Sequence, residues 1–419
     1  MRLRAAVGVG VVVVFGVGAC GDGSSSDVDV GQSVGRALPS AVADRVLWEP
    51  PRVPPVMAAS SGQLLVVGGI DQVPDEPGLL RVEREAVLVD LETGEASQLA
   101  APEADVPVHV LGAAADPEGF VVIGQRCVGG DRLPAEDWLC RPGTATAFRL
   151  SADARSWEEI PFPESVSPPR GDTPWTFLPT VGTVPDGGVF VVARTGPAGP
   201  GSDPTLVLVL DGGRWVEVAS LPDVRPVGAC ATAEAIHVLT SVTSVTPVPG
   251  EGTPPPAEMV LYEAPVGGGG AVAVDLPEVD ASIGGVAVAA ACDRSGVYST
   301  SSTPDPSVPM QLYVRRGTAW RLVGGDWEAG IVTRMASAPN GIAVVGQTIA
   351  GEGALVARTV HAVEDTAERV GAENVTRELV TDQANGNFVT VGPLPRLSLE
   401  LSPEPDQPSE PVTADELAP

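Results

Sequence analysis

Lysine is absent from the 419 residues; all 25 basic residues are arginine. Schiff-base chemistry and the lysine of a phosphate-binding loop are thereby excluded. Histidine is almost as scarce. His109, His237 and His361 lie far apart in the chain, so acid–base or metal chemistry built on imidazole is thinly supplied. Fifty-four acidic residues outweigh the arginines and leave a net charge of −29. No basic patch offers a footprint for nucleic acid, and an anionic lipid surface repels such a body. Aromatics make up 4% of the chain. The three tyrosines, Tyr262, Tyr298 and Tyr313, sit in or near apolar stretches rather than in a His/Tyr cluster that would hold copper. No CxxC, Ser-His-Asp signature, EF-hand spacing or glycine-rich phosphate loop occurs. Neither a catalytic residue nor a metal or organic cofactor is assigned.

The chain does have a distinctive beginning. Arg2 and Arg4 precede an apolar run from Ala5 to Ala19, which ends in Val17-Gly18-Ala19-Cys20. The run is too short for a mature membrane-spanning helix, and small residues lead into a cysteine. This pattern resembles the lipobox of bacterial lipoproteins. The resemblance implies that residues 1–19 are a signal peptide, and that Cys20 is acylated (with palmitate or a similar chain) and becomes the new N-terminus. One acyl chain binds a membrane only marginally, so stable attachment needs the two or three chains that the family carries. An ordinary secretory leader that releases a soluble protein is the alternative. Residues 20–44 read as a flexible polar tether and 404–419 as a disordered acidic, Pro-rich tail. Residues 45–403 remain as the folded body.

A pattern recurs through that body at roughly 50–65 residues. Its clearest marker is an apolar second strand after a tight-turn signal: Leu64-Leu65-Val66-Val67-Gly68-Gly69, Phe120 to Gly124, Val189 to Val192, Ala235 to Leu239, Val297 to Ser299, Ile342 to Gly346 and Phe388 to Gly392. Third strands follow, and fourth strands open at Trp157, Trp215 and Trp320. Four antiparallel strands per repeat predict an all-β fold, a β-propeller of seven blades, with six or eight as alternatives. The units resemble kelch or galactose-oxidase-type blades, loosely, through Gly68-Gly69 and the fourth-strand tryptophans. The last unit supplies Thr376 to Thr381, Phe388 to Val391 and Arg396 to Leu401 but no fourth strand. The orphan Arg45-Val46-Leu47-Trp48-Glu49-Pro50 is expected to complete it, closing the ring with an N-terminal strand.

Beyond Cys20 the cysteines are Cys127, Cys140, Cys230 and Cys292. Four cysteines in an exported chain allow three pairings. Cys127 closes a second strand and Cys140 lies in the following loop, whereas Cys230 and Cys292 each stand five residues before a second strand. Bridges Cys127–Cys140 and Cys230–Cys292 are therefore expected, the second stapling neighbouring inner strands. Long connections between second and third strands gather on one face, which is the expected binding face. The pinned loop after Cys127 carries the candidate contact residues Asp131, Glu136, Asp137 and Trp138.

Ser151-Ala152-Asp153-Ala154-Arg155-Ser156-Trp157 looks like a damaged Asp-box, a structural turn of sialidases. The expectation is a monomeric, non-catalytic envelope lipoprotein that binds a protein or glycan. The alternative is a sialidase-like hydrolase or lyase with its site at the channel mouth.

Overall fold

The computed structural model describes residues 9–14, 34–38 and most of 55–391. Outside the described residues lie 1–8, 15–33, 39–54 and 392–419, together with loop segments such as 135–142, 167–174, 243–257, 278–285 and 303–310.

The described chain is built from small antiparallel sheets in which sequential strands are neighbours. The first unit is Val56–Ser60, Gln63–Val67, Ala86–Asp90 and Ala96–Leu99. The second is Val108–Asp116, Gly119–Cys127, Gly143–Leu150 and Trp157–Glu159. The third is Trp175–Thr183, Val189–Pro197, Thr205–Asp211 and Arg214–Leu221. The fourth is Arg225–Ala231, Ala235–Val242, Glu258–Pro265 and Val272–Val274. The fifth is Val286–Cys292, Val297–Ser302, Leu312–Arg316 and Ala319–Leu322. The sixth is Ala329–Ala338, Gly341–Thr348, Leu355–His361 and Thr366–Arg369. The last unit starts with Glu378–Asp382 and Asn387–Val391. The inner strand of each unit neighbours that of the next, and Glu378–Asp382 returns to Val56–Ser60 through the parallel bridge Ala59↔Asp382. The fold is a closed β-propeller.

Sequence dictates which strands carry the core. Second and third strands are buried on both faces, as in Gln63–Val67 and Thr205–Asp211, so they read as unbroken apolar runs. Outer strands such as Ala96–Leu99 and Ala319–Leu322 are mostly exposed and carry polar residues. Alternate residues of one strand face opposite neighbours. Phe120 and Val122 pack with Leu65, Val67 and Leu88 of the first unit, while Val121 and Ile123 pack with Val191 and Leu208 of the third. The hydrophobic core is thus a series of clusters between units. A fully buried side chain of this size contributes about 1.5–3 kcal/mol, so each interface is held by several such contributions.

Two glycine positions are demanded by geometry. Gly212 and Gly213 both have positive φ (53° and 78°), the requirement of a two-residue type I′ hairpin. Gly68 has φ +70°, and a Cβ there would lie 2.9 Å from the Val110 Cβ. The Gly68-Gly69 pair marks where the first unit comes close to the inner strand of the second.

The last unit corrects one expectation. N-terminal strands do close it, but they are Val9–Val14 in third place and Val34–Leu38 in fourth. Val11 pairs with Val391 and Val14 with Phe388, and Val34–Leu38 pairs antiparallel with Val9–Val13. A run of β-branched valines without charge is the strongest strand former available to that edge. The expected closing segments, Arg45–Pro50 and Arg396–Leu401, lie outside the described residues.

Candidate interaction surface

The connection between the second and third strands of the first unit is not a plain loop. Ile70–Gln72 and Leu79–Val82 pair antiparallel, and Arg132–Pro134, from the equivalent connection of the second unit, adds to Leu79–Val82. The result is a separate three-stranded sheet on the face where all second-to-third connections emerge. It has its own small core of Ile70, Leu80, Val82, Cys127 and Leu133. The local reason is compositional: Leu80, Val82 and Leu133 supply an apolar side that the two connections can bury only against each other. Sequence reasoning missed this sheet. Its one signal was the alternation Leu80-Arg81-Val82, with an exposed arginine between two buried residues.

The other side of this sheet is charged. Arg132 pairs with Glu76 at 2.9 Å and Arg81 with Glu83 at 2.8 Å. The bond to Glu83 raises the Arg81 guanidinium above its ordinary value, and Asp71 and Asp131 add to the effect. At the root of the connections, Arg126 reaches Glu103 in the link between the two units (2.6 Å) and Glu159 on the outer strand (2.8 Å). Beside it a shallow cleft is lined by Val67, Gly68, Glu83, Arg84, Glu103 and Val110. Of the candidate contact residues, Asp131 lies at the edge of the small sheet, and its carbonyl accepts the Val82 N–H at 2.8 Å. Glu136, Asp137 and Trp138 lie outside the described residues, as do Cys20 and Cys140. Cys127 is disulfide-bonded and belongs to the core of the small sheet.

The second disulfide, Cys230–Cys292, is present with a Cα–Cα distance of 5.5 Å. It begins a registered contact between the fourth and fifth units. Cys230, His237, Glu263 and Val272 are directly opposite one another across the fourth sheet, and Cys292, Val297, Arg315 and Trp320 across the fifth. The disulfide joins the inner ends of these rows, Arg315 pairs with Glu263 at 2.8 Å further out, and Trp320 Nε1 donates to the Asp275 carbonyl at 2.7 Å near the rim. His237 is buried beneath the pair; burial lowers it to about 4, Glu263 pulling it up and Arg315 pushing it down. Trp157 repeats the rim contact, donating to the Ala100 carbonyl at 2.8 Å. Trp215 instead stacks on Phe162, with ring centroids 5.0 Å apart. All three fourth-strand tryptophans therefore hold the trailing end of the preceding unit.

The opposite face is locked by turns. Asp293 is fully buried and accepts from the Ser295 and Gly296 N–H groups, from Tyr298 Oη at 2.6 Å and from Arg316 at 2.6 and 3.0 Å. Burial alone would raise this carboxyl; the Arg316 and Tyr298 bonds outweigh it and hold the group below its ordinary range. Tyr298 is raised by burial and by the Asp293 charge. Asp116 does the same work in the second unit, accepting from the Glu118 N–H at 2.8 Å and from Arg149 at 2.7 Å. His109, on the neighbouring inner strand, is lowered by burial to about 4. The two ends of the Asp-box-like segment are bonded to each other, Ser156 N–H donating to Ser151 Oγ at 3.0 Å, while residues 152–155 between them lie outside the described residues. Among the described residues no three His, Cys, Asp or Glu side chains gather as a metal site, and no helix is long and apolar enough to cross a membrane.

No protein-family model matches the sequence, and no curated protein matches it. Among solved structures, the chain is similar to the β-propeller domain of the Trilobed protease from Pyrococcus furiosus, with 10% identity and a TM-score of 0.47 over 78% of this chain and 85% of that one. An acylaminoacyl peptidase from Pyrococcus horikoshii gives 10% identity and a TM-score of 0.49 over 79% of this chain but 48% of its own. A PL25 polysaccharide lyase, an ulvan lyase, gives 11% identity and a TM-score of 0.42 over 78% and 84%. At these identities and TM-scores the likenesses assign no activity to this chain.

Proposed function

We propose that this chain is a lipid-anchored, extracytoplasmic propeller of seven blades that binds an envelope protein or glycan through the face bearing its second-to-third-strand connections. The observation that carries this reading is the small sheet built from Ile70–Gln72, Leu79–Val82 and Arg132–Pro134. The blade interfaces do not require it, yet it is ordered, has its own core and includes a disulfide-bonded cysteine. Pre-ordering a projecting surface lowers the entropy lost when a partner docks. The pairing Cys127–Cys140 would extend that ordering to the segment carrying Glu136, Asp137 and Trp138. The acidic body cannot cling to anionic lipid, so an acylated Cys20 supplies the attachment.

Two measurements test this reading. In the first, the anchorless body (residues 21–419) carrying Arg81→Glu and Arg132→Glu is compared with one carrying Arg214→Glu and Arg321→Glu on outer strands, in pulldown from envelope extract. Loss of a captured component only with the first pair supports the binding face; equal capture refutes it. In the second, Cys20→Ala must abolish acyl labelling, and labelling that persists refutes the anchor.

A further inference from the structure

The boundary between the fourth and fifth units differs from its neighbours in what fills it. The second and third units meet through Ile123, Phe177, Val191 and Leu208, and the third and fourth through Phe190, Val192, Ile236 and Val238, all of them hydrocarbon. Between the fourth and fifth units the buried apolar cluster shrinks to Cys230, Leu239, Leu261, Cys292 and Val297. Polar side chains share the rest. Arg315 reaches across to Glu263 at 2.8 Å, and His237 stands directly opposite Glu263 on the adjacent strand. Ser299 lies two residues beyond Val297 on the same side of its strand, so it too faces the fourth unit. His237 is 4% exposed and Ser299 2%. Three buried atoms of this group, His237 Nδ1, Arg315 Nε and Ser299 Oγ, have no hydrogen-bond partner among the described residues. A buried polar atom without a partner costs more than an ordinary hydrogen bond gains. There is also room here: a Cβ added at Gly228, on the inner strand of the fourth unit, would meet nothing closer than Ala290 N at 3.9 Å.

We propose that the boundary between the fourth and fifth units is an internal water-binding site, in which one water bridges His237 Nδ1 and Arg315 Nε and the Ser299 hydroxyl bonds to water in the same pocket. The chemistry of the three groups selects the guest. Arg315 Nε–H only donates, a neutral imidazole offers one lone pair, and a hydroxyl does both, so the guest must accept and donate. Glu263 already balances the charge of Arg315. An anion in the pocket would face the Glu263 carboxylate, and a metal ion would face the guanidinium. A small neutral molecule with both hydrogen-bonding roles remains, and buried water is the one that proteins hold at such sites. The site also gives a reason for the place of the disulfide. A polar, hydrated boundary gains less from apolar burial than its neighbours do, and Cys230–Cys292 closes it covalently.

Crystals of the full chain carrying Cys20→Ala, at a resolution that orders single waters, test the bridge. A peak within about 2.7–3.2 Å of both His237 Nδ1 and Arg315 Nε is expected, with no anomalous signal after a bromide soak. A bromide peak at that place would make the guest an anion and overturn the proposal. So would a map in which the two nitrogens bond only to protein atoms or share no peak. Ser299→Ala tests the pocket in solution and needs no crystal. Removing a hydroxyl that is bonded to water should raise the unfolding constant roughly 5-fold in urea titration at pH 7. Removing a hydroxyl that has no partner should leave the constant unchanged or lower it, and that result would overturn the proposal.

Discussion

Removing the Cys230–Cys292 bridge isolates what a covalent staple adds to one blade interface. The two cysteines are 62 residues apart and almost wholly buried, so Cys230→Ala with Cys292→Ala deletes the bond with little change in exposed surface. The cross-link restricts a loop of that length in the unfolded chain, worth about 4 kcal/mol in the chain-entropy account. Spread over the roughly 340 residues from 55 to 391, with an unfolding entropy near 2.1 cal/mol/K per residue, this lowers Tm by about 6 °C. Differential scanning calorimetry of the anchorless body reads the shift directly. The registered rows add a second expectation. Glu263–Arg315 and the Trp320 contact remain, so the fourth and fifth units should stay docked at 25 °C, with Trp320 fluorescence unchanged. A fall in Tm below 2 °C would show that the polar and aromatic contacts already fix this boundary and that the entropic reasoning does not apply to it. A separate early transition would show that the interface opens by itself once the bond is gone.

Further perturbations probe the buried charges. His109 and His237 stay neutral in the fold, lowered to about 4 by burial, and return to about 6.5 when the chain unfolds. The unfolded chain therefore binds more protons between these values. Stability is full above pH 6.5 and falls as pH drops toward 4, at up to about 2.7 kcal/mol per pH unit near pH 5. His237→Gln should halve that slope in urea titrations at pH 7, 6 and 5, and an unchanged slope would contradict the burial of this ring. Asp293→Asn should cost about 3–5 kcal/mol, because it leaves Arg316 and Tyr298 facing a neutral amide. Tyr298→Phe should cost only about 1–2 kcal/mol. Equal losses in urea unfolding would mean that the hydroxyl, not the charge pair, holds this turn. As a carboxyl held low in the fold, Asp293 contributes its stability above about pH 4 and loses it below.

How much could be read from the sequence depended on how each strand is buried. The second and third strands lie between two neighbouring sheets, so Leu64 to Val67 or Leu206 to Leu210 had to be continuously apolar, and such runs are conspicuous. The fourth strands are half exposed and showed only where a tryptophan opened them. Cys230 and Cys292 were paired correctly because equivalent positions on adjacent inner strands face each other. The small sheet on the connection face was invisible for the opposite reason. Its strands are three or four residues long, carry Asp71, Arg81 and Arg132, and one of its two pairings spans about 50 residues of chain, so neither length nor periodicity announces them. The closing strands were misplaced because Val9–Val14 was read only as the apolar core of a leader. The same lack of charge and branching that suits a leader suits a strand.

The two faces of the propeller are built for different ends. On the hairpin face, Asp116 and Asp293 each tie a short turn to its own blade, so an insertion there breaks bonds to a buried carboxylate. On the connection face, a loop leaves and re-enters on strands such as Gln63–Val67 and Ala86–Asp90, whose residues nearest that face, Val66, Val67, Ala86 and Val87, are buried in the body of the fold. Residues can be added between them without disturbing any core contact. Connections there are thus free to lengthen, and the first two have done so enough to build a sheet across neighbouring blades with an apolar underside and a charged top. That asymmetry directs a search for a partner to Arg81, Asp131 and Arg132 on the connection face rather than to the buried ionic clusters of the hairpin face.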